Sequence, residues 1–301
     1  MSADVVSGPT PAQWVAGARP RTLPAALAPV IAATGIALVE GGFAPSAAGL
    51  ALLVSVALQV GVNYANDYSD GIRGTDTVRV GPLRLVGSGL ARPRTVKLAA
   101  FASFGVAALA GLVLVVLTQH WWLLAVGAAC VAAAWYYTGG KKPYGYLGLG
   151  EVFVFVFFGL VAVCGTAYVQ VGRVSLAAVL TGVGVGALAC AILVANNLRD
   201  IRGDAVVGKR TLATRLGDPA TRTFYLALIG LAAVMIVAVG ALTSWWALLG
   251  LAGLVLIVPA VRVIRAGGEG RELIAVLKAT GLAELASAVL FTLGLLIASV
   301  R

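Results

Sequence analysis

Long apolar runs, separated by polar segments, dominate this chain of 301 residues. A helix that crosses a bilayer needs about 20 predominantly apolar residues. Nine runs approach that length, and they lie at 23–40, 47–66, 98–117, 121–137, 150–169, 175–195, 223–242, 245–261 and 274–299. The pattern therefore predicts an all-α integral membrane protein with nine transmembrane helices.

Two of the polar segments are longer than the others, and they are expected on the same side of the membrane. They are 67–97, after the second predicted helix, and 197–222, after the sixth. This spacing predicts one domain over 1–301, in which two pseudo-repeated four-helix halves, about 20–137 and 138–265, surround a central cavity. The ninth helix, 274–299, is appended. Parts of the long segments, 71–97 and 203–222, are expected to fold back over the opening as short helices.

Composition and charge support a membrane protein. Hydrophobic residues make up 60% of the chain and charged residues 11%, whereas an ordinary soluble domain is about 25% charged. With the N-terminus in the cytoplasm, every Lys and Arg except Arg173 and Arg301 falls on the cytoplasmic side. The positive-inside rule therefore predicts a multi-pass protein of the cell membrane with an external C-terminus. The partner that this distribution of Lys and Arg indicates is the lipid bilayer. It explains the net charge of +10, and no nucleic-acid partner is expected. Residues 1–20 lack the pattern of a signal peptide.

Two clusters of amide and carboxylate side chains end apolar runs on the predicted cytoplasmic side. The members of the first cluster are Asn63, Asn66, Asp67 and Asp70. The members of the second are Asn196, Asn197, Asp200 and Asp204. The first four follow offsets of 0, 3, 4 and 7, and three of the second follow 0, 4 and 8, so each cluster shares one helix face.

The chemistry of these clusters points to a phosphorylated substrate. Carboxylates near membrane depth are costly and suggest a function. Oxygen ligands suit Mg²⁺, which shares its coordination with water and substrate phosphates, and nearby basic residues suit the diphosphate itself. The duplicated arrangement predicts a Mg²⁺-bound diphosphate between two helix ends. The alternative is that these residues only cap helices and solvate turns.

The other reactive side chains are assigned to packing or to the interface, with one exception. All three cysteines fall inside predicted helices, where burial is the expected role. His120 is the only histidine, which excludes His-based catalysis and a zinc site built on His. Glu284, inside the ninth predicted helix, is interpreted as a structural carboxyl that is protonated or paired. For Glu151, a local ion pair and a role in the site both remain open.

Four segments resemble the UbiA superfamily of intramembrane prenyltransferases, and the resemblance covers nearly the whole chain. They are RPRTLP at 19–24, NDYSDGIRGTD at 66–76, TGGKKPYGYLGLGE at 138–151 and GKRTL at 208–212. Within the superfamily, they look like the 1,4-dihydroxy-2-naphthoate polyprenyltransferases of menaquinone biosynthesis.

The resemblance implies Mg²⁺ as cofactor, with two ions. The residues that would hold them are Asn66, Asp67 and Asp70 for one ion, and Asn197, Asp200 and Asp204 for the other. The superfamily pattern places an Asp four residues after Asp70, but this chain has Gly74 there and Asp76 two residues later. The role of Asp76 is therefore open among direct ligation, ligation through water and none.

The resemblance also implies basic and aromatic side chains around the substrates. By spacing, the leading diphosphate-binding candidates are Lys141, Lys209 and Arg210, followed by Arg73, Arg199 and Asn63. Arg19 and Arg21 are expected to meet the diphosphate or the acceptor carboxylate, with cytoplasmic anchoring as the alternative. Tyr144 and Tyr146 are expected to stabilise an allylic carbocation, with an interfacial aromatic belt as the alternative. The groups expected to act in catalysis are Asp67, Asp70, Asp200, Asp204, Lys141 and Tyr144.

The implied reaction joins polyprenyl diphosphate to 1,4-dihydroxy-2-naphthoate. The diphosphate leaves, the ring carbon that bears the carboxylate attacks C1 of the prenyl chain, and carbon dioxide is lost. The product is demethylmenaquinol, an intermediate of menaquinone biosynthesis. The base that deprotonates the acceptor hydroxyl is left open among Asp76, Asp204 and a metal-bound water.

Three alternatives differ from this reaction. A UbiA-type enzyme with a hydroxybenzoate, homogentisate or chlorophyllide acceptor would use the same clusters, and only the 138–151 segment argues against it. A transporter of anionic metabolites would also suit a basic pocket between halves, but it would place charges nearer the bilayer centre. A structural membrane subunit would need no duplicated ligand clusters.

Overall fold

The structure, a computed structural model, describes residues 8–74 and 83–300, and it contains helices and turns but no strand in these ranges. The helices, numbered here in chain order, are α1 Pro11–Gly17, α2 Pro24–Val39, α3 Pro45–Arg73, α4 Pro93–Thr118, α5 Leu123–Tyr136, α6 Gly150–Val171, α7 Leu176–Val206, α8 Leu212–Leu216, α9 Asp218–Leu242, α10 Trp245–Arg265 and α11 Arg271–Ser299. Short 3₁₀ turns at Pro20–Thr22 and Tyr144–Leu147 precede α2 and α6.

Seven of the described helices are long and apolar enough to cross a membrane. An eighth span results if the pair Pro11–Thr22 and Pro24–Val39, bent by 50°, is counted as one. The multi-pass membrane architecture is thus confirmed, whereas the count of nine is not. The fourth predicted span is a helix, Leu123–Tyr136, but it has only 14 residues. At 1.5 Å per residue it measures about 21 Å, which is shorter than the roughly 30 Å hydrocarbon core.

Both helices that carry the polar clusters extend beyond their apolar runs. Helix α3 begins with Pro45 and ends at Gly74, whose φ of 69° gives the left-handed C-cap that glycine adopts without strain. Helix α7 begins after Ser175, whose hydroxyl accepts a hydrogen bond from the N–H of Ala178. The amide and carboxylate side chains therefore belong to the last turns of these two helices and not to the loops that follow them.

Helix α7 forms the centre of the molecule, since 72% of its most apolar 18-residue stretch is buried. It packs against α2, α6, α9 and α11. The approach to α6 is close because glycines meet there: a Cβ on Gly159 would lie only 2.5 Å from the carbonyl oxygen of Gly182. Any larger residue at this position would push α6 away from α7.

The connections 138–149 and 208–216 are joined to each other. The N–H of Arg210 donates to the carbonyl of Tyr146 at 3.0 Å, and the Arg215 guanidinium donates to the carbonyl of Leu147 at 2.9 Å. The expected fold-back of 203–222 corresponds to α8, a helix of five residues. Of the segment 71–97, residues 75–82 lie outside the described residues, and 85–89 form turns.

A lone carboxyl lies at the middle of α11. Glu284 is 1% exposed and lines a small chamber of about 30 Å³ together with Thr181, Ala32 and Ala232. Within the described residues, neither carboxyl oxygen of Glu284 nor the hydroxyl of Thr181 has a hydrogen-bond partner. This chamber is enclosed by α2, α7, α9 and α11.

Candidate active site

The last turns of α3 and α7 line one cavity of about 190 Å³. The amide and carboxylate side chains that line it are Asn66, Asp70, Asn196, Asn197, Asp200 and Asp204. Three basic side chains, Arg19, Arg84 and Lys209, line the same cavity. Among its apolar lining residues are Val154, Phe158 and Leu277. Both polar clusters thus face a common space that is also basic and partly apolar.

Asp70 interacts with side chains from three distant parts of the chain. It accepts a hydrogen bond from the Tyr146 hydroxyl at 2.6 Å. A guanidinium nitrogen of Arg84 lies 3.3 Å from it, and the ammonium of Lys209 lies 3.8 Å away. These groups come from three different connections, so the position of Asp70 depends on the tertiary fold.

Asp67, expected among the metal ligands, faces a different environment. It is 1% exposed and does not line the cavity. Its two carboxylate oxygens accept the backbone N–H groups of Leu85 and Val86, at 2.7 and 3.0 Å. Because Arg84 precedes these two residues, this interaction fixes the chain next to a cavity-lining cation.

The two asparagines of the first cluster differ in the same way. Asn66 lines the cavity, and its side-chain oxygen accepts the hydroxyl of Thr138 at 2.7 Å. Asn63 does not line it, and its amide donates to the carbonyl of Ala18 and to the hydroxyl of Thr22, at 2.8 and 2.9 Å. Asn63 therefore attaches α3 to the turn that precedes α2.

Two of the four residues of the second cluster, Asn196 and Asp200, are bound by an arginine of the same helix. Arg199 donates to both carboxylate oxygens of Asp200 at 2.7 Å and to the side-chain oxygen of Asn196 at 2.8 Å. Asp204 lies 4.0 Å from the ammonium of Lys209. Asn197 donates to Glu151 on α6 at 2.9 Å. Lys209 is therefore within ion-pair distance of a carboxylate from each cluster.

The basic residues predicted from the sequence divide between the cavity and its surroundings. Lys209 and Arg19 line the cavity. The others that were predicted do not, and they are Arg21, Arg73, Lys141, Arg199 and Arg210. Arg21, Lys141 and Arg210 are exposed, while Arg73 donates to the carbonyls of Thr138 and Gly140.

The two tyrosines of the 144–147 turn have different roles. Tyr146 lines the cavity, and its ring has the ammonium of Lys209 at 4.5 Å and the guanidinium of Arg73 at 5.4 Å from its centroid. Tyr144 does not line the cavity; its ring stacks on Phe153 at 3.9 Å, and its hydroxyl donates to the carbonyl of Ala133 at 2.8 Å. Burial raises the pKa of the Tyr144 phenol. Tyr144 therefore packs behind the site as a neutral phenol.

Sequence reasoning did not single out several polar residues of the cavity, which are Thr22, Gln59, Arg84, Thr138 and Thr211. Gln59 lies seven residues before Asn66 on the same face of α3, a spacing that could have identified it. Thr138 is contained in the 138–151 segment but was not singled out. Arg84 belongs to a run of basic residues attributed to membrane orientation, yet it is 8% exposed and next to Asp70, and nothing in the sequence distinguishes it from its neighbours.

The donor chemistry of the cavity fits Mg²⁺. Asn66 and Asp70 on one side and Asn197, Asp200 and Asp204 on the other offer only oxygen ligands from their carboxylates and amide carbonyls. Within residues 8–74 and 83–300, no group of three or more His, Cys, Asp or Glu is close enough to hold a metal ion alone. The arrangement suits an ion whose remaining ligands are water and phosphate oxygens. Asp76 lies outside the described residues.

Comparisons with known proteins are consistent with this geometry. A model of the UbiA prenyltransferase family matches residues 26–278. The chain is 57% identical over 274 residues to a 1,4-dihydroxy-2-naphthoate octaprenyltransferase from Mycobacterium tuberculosis, covering 91% of this chain and 93% of that protein. It is 40% identical over 222 residues to the Escherichia coli protein of the same name, covering 72% of each. A solved UbiA homolog from Archaeoglobus fulgidus, bound to DMAPP and Mg²⁺, has a TM-score of 0.62 at 13% identity and covers 92% of this chain and 99% of that one. That likeness is one of fold.

Proposed function

This chain belongs to the UbiA prenyltransferase family, and from that premise we propose that it transfers a polyprenyl group from polyprenyl diphosphate to 1,4-dihydroxy-2-naphthoate. The acceptor is proposed because relatives at 57% and 40% identity are named for it. The structural observation that carries the proposal is the single cavity at which acidic residues of α3 and α7 meet three basic side chains. The product would enter menaquinone biosynthesis as demethylmenaquinol.

Two Mg²⁺ ions are part of the proposal, and they would neutralise charge on the departing diphosphate. Asn66 and Asp70 would hold one ion, and Asn197, Asp200 and Asp204 the other. The oxygen-only donor set of the cavity supports this assignment. The Mg²⁺ bound to the archaeal UbiA homolog supports it at the level of the family. Asp67 would act by holding Leu85 and Val86, and with them Arg84, at the cavity.

The basic side chains of the cavity would bind the diphosphate. Lys209 is placed for this role because it lies between Asp70 and Asp204, and Arg19 and Arg84 line the same space. Charge-assisted hydrogen bonds to phosphate oxygens are stronger than neutral ones. The exposed Lys141 and Arg210 would attract the anionic substrates to the opening.

The apolar lining and Tyr146 would protect the reacting carbon. As the bond between C1 and the diphosphate oxygen breaks, positive charge develops on the allylic carbon, and an aromatic face stabilises it. Val154 and Phe158 exclude water that would quench this cation. The ring carbon of the acceptor then forms a bond with C1, its bond to the carboxylate breaks, and carbon dioxide leaves with the ring regaining its electron pair.

We place the cavity and the N-terminus on the cytoplasmic side of the cell membrane. The confinement of nearly all Lys and Arg residues to one set of connections supports this orientation. Diphosphates and Mg²⁺ are available on that side. The two four-helix halves, about 20–137 and 138–265, are part of the same proposal, with α3 and α7 as equivalent helices.

The test is a direct assay of the purified chain in lipid nanodiscs. It is incubated with Mg²⁺, a polyprenyl diphosphate and 1,4-dihydroxy-2-naphthoate, and the product is identified by mass. The expected mass is that of the two joined substrates less diphosphate and carbon dioxide. Parallel reactions contain 4-hydroxybenzoate or homogentisate. Product from one of these acceptors and none from the naphthoate would reject the proposed acceptor, and product from none would reject prenyl transfer.

A further inference from the structure

Glu151 is a buried acid beside the cavity whose purpose the proposed reaction leaves unassigned. It lies in the first turn of α6 and is 4% exposed. Its side chain accepts a hydrogen bond from the amide nitrogen of Asn197 at 2.9 Å. It does not line the cavity, whereas Asn197 does. Glu151 therefore reaches the site only through another residue.

The position of Glu151 is fixed by the packing of α6 on α7. Its backbone carbonyl accepts a hydrogen bond from the thiol of Cys190, about two α7 turns before Asn197, at 3.1 Å. The close approach of Gly159 to Gly182 holds the two helices together further along. Because these contacts fix the backbone, the carboxyl of Glu151 is presented to Asn197 from a rigid base.

This contact determines which end of the Asn197 amide is turned to the cavity. A side-chain amide has one accepting oxygen and one donating nitrogen. The carboxyl oxygen of Glu151 accepts the hydrogen bond, so the nitrogen end of the Asn197 amide is turned toward Glu151. The Asn197 oxygen is thereby left as the polar atom available to the cavity, which is the atom that a Mg²⁺ ion requires. The neighbouring Asn196 differs, because its oxygen is already bound by Arg199.

We propose that Glu151 is a positioning residue that holds the Asn197 amide with its oxygen toward the diphosphate-bound Mg²⁺. The inference rests on the proposed function, because it assumes the Mg²⁺ site at α7. Groups that orient a metal ligand in this way change metal affinity by about 10–100-fold when they are removed. A purely structural Glu151 would change stability and leave metal affinity unaltered.

The test is Glu151→Gln, which keeps the shape of the side chain but no longer selects the amide nitrogen. Binding of Mn²⁺ in the presence of inorganic pyrophosphate is measured by electron paramagnetic resonance, without turnover. We expect about 10-fold weaker Mn²⁺ binding or more. In the prenyl-transfer assay, we expect a higher half-saturating Mg²⁺ concentration with kcat at saturating Mg²⁺ within about twofold of the wild type, since the change acts on ligand orientation. The matched control is Glu269→Gln, at an exposed position outside the cavity, with unchanged binding.

A compensating exchange sharpens the test. In the double variant Glu151→Gln with Asn197→Asp, the new amide donates to the new carboxylate, whose second oxygen again faces the cavity. We expect it to recover most of the lost Mn²⁺ affinity. Wild-type Mn²⁺ affinity in Glu151→Gln overturns the inference. If that variant does not fold, the titration is made with Glu151→Asp, where weaker binding supports the inference and equal binding overturns it.

The binding measurement also separates this inference from the proposed function. If the wild type binds Mn²⁺ with pyrophosphate and Glu151→Gln does not, the positioning role holds even when no naphthoate product is found. If the wild type forms the product and both proteins bind Mn²⁺ equally, only the positioning role is rejected.

Discussion

The two polar clusters look alike in the sequence but are held by different parts of the molecule. On α3, Asp67 and Asp70 are bound by groups from distant connections, among them the backbone of Leu85 and the hydroxyl of Tyr146. On α7, Asp200 is bound by Arg199, its neighbour in the same helix. The first cluster therefore depends on the tertiary fold, whereas two of the four residues of the second, Asn196 and Asp200, share an arginine of their own helix.

The difference has a physical consequence for how the site responds to change. When a side chain is bound to several distant segments, its removal frees those segments to move. When a side chain is bound to a neighbour in its own helix, as Asp200 is to Arg199, its removal moves that neighbour little, because the helix itself fixes the backbone of both residues. Lys209 is the exception that connects the clusters, since it lies 3.8 Å from Asp70 and 4.0 Å from Asp204.

The largest expected effect is common to both clusters. Asp70→Asn and Asp200→Asn each remove a carboxylate from the cavity, and we expect each to lower kcat by about 100-fold or more, the loss typical of one electrostatic contact to developing charge. Steady-state turnover of the purified variants measures this. Asp218→Asn, which alters a carboxylate outside the cavity, serves as the control. Wild-type turnover in either cavity variant would remove that residue from the site.

The second prediction concerns the link between the clusters. Lys209→Ala removes the cation that both carboxylates share, and we expect about a 10-fold increase in KM for the prenyl diphosphate, because a charge-assisted hydrogen bond contributes about 1.5–3 kcal/mol. Lys141→Ala removes an exposed lysine of the same surface and should change KM by less than about twofold. Equal changes in KM for the two variants would contradict a specific role of Lys209 in binding the diphosphate.

The third prediction separates the clusters by stability. Asp67→Ala leaves the buried N–H of Leu85 and the half-buried N–H of Val86 without their acceptor, and the buried group alone costs about 1–3 kcal/mol. We expect a lower unfolding temperature in detergent and faster trypsin cleavage at Arg84. Asp200→Ala should leave cleavage at Arg84 unchanged, because Arg199, which binds Asp200, belongs to the same helix α7. Equal protection of Arg84 in all three proteins would contradict the proposed difference.

The smallest expected effect concerns the outward face of the second cluster's helix. Arg202 pairs with Glu269 at 2.8 Å, but their side chains are 83% and 59% exposed. Arg202→Ala should therefore change the free energy of unfolding by less than about 0.5 kcal/mol and leave turnover unaltered. A large loss of either would mean that the outward face of α7 also supports the site.

The sequence was sufficient to predict the membrane class, the family and the helices that carry the site. The family is confirmed by the match over residues 26–278, and periodic spacing correctly grouped Asn66 with Asp70 on one face of α3. Spacing alone, however, does not reveal tertiary partners. It grouped Asp67 with Asp70, although in the structure the carboxylate of Asp67 accepts hydrogen bonds from two backbone N–H groups. It gave no sign of Arg84, because burial of one arginine among many depends on a loop whose path only the fold determines.

The chamber around Glu284 bears on how the protein is assembled in the membrane. Inserting an acidic side chain at the centre of a transmembrane helix costs about 3 kcal/mol on insertion scales. Glu284 therefore makes the insertion of α11 into lipid less favourable. Helices α2, α7 and α9, which contribute Ala32, Thr181 and Ala232 to the chamber, are all synthesised earlier. Helix α11 can therefore insert against helices that already form the other walls of the chamber, and these helices shield its carboxyl from the hydrocarbon.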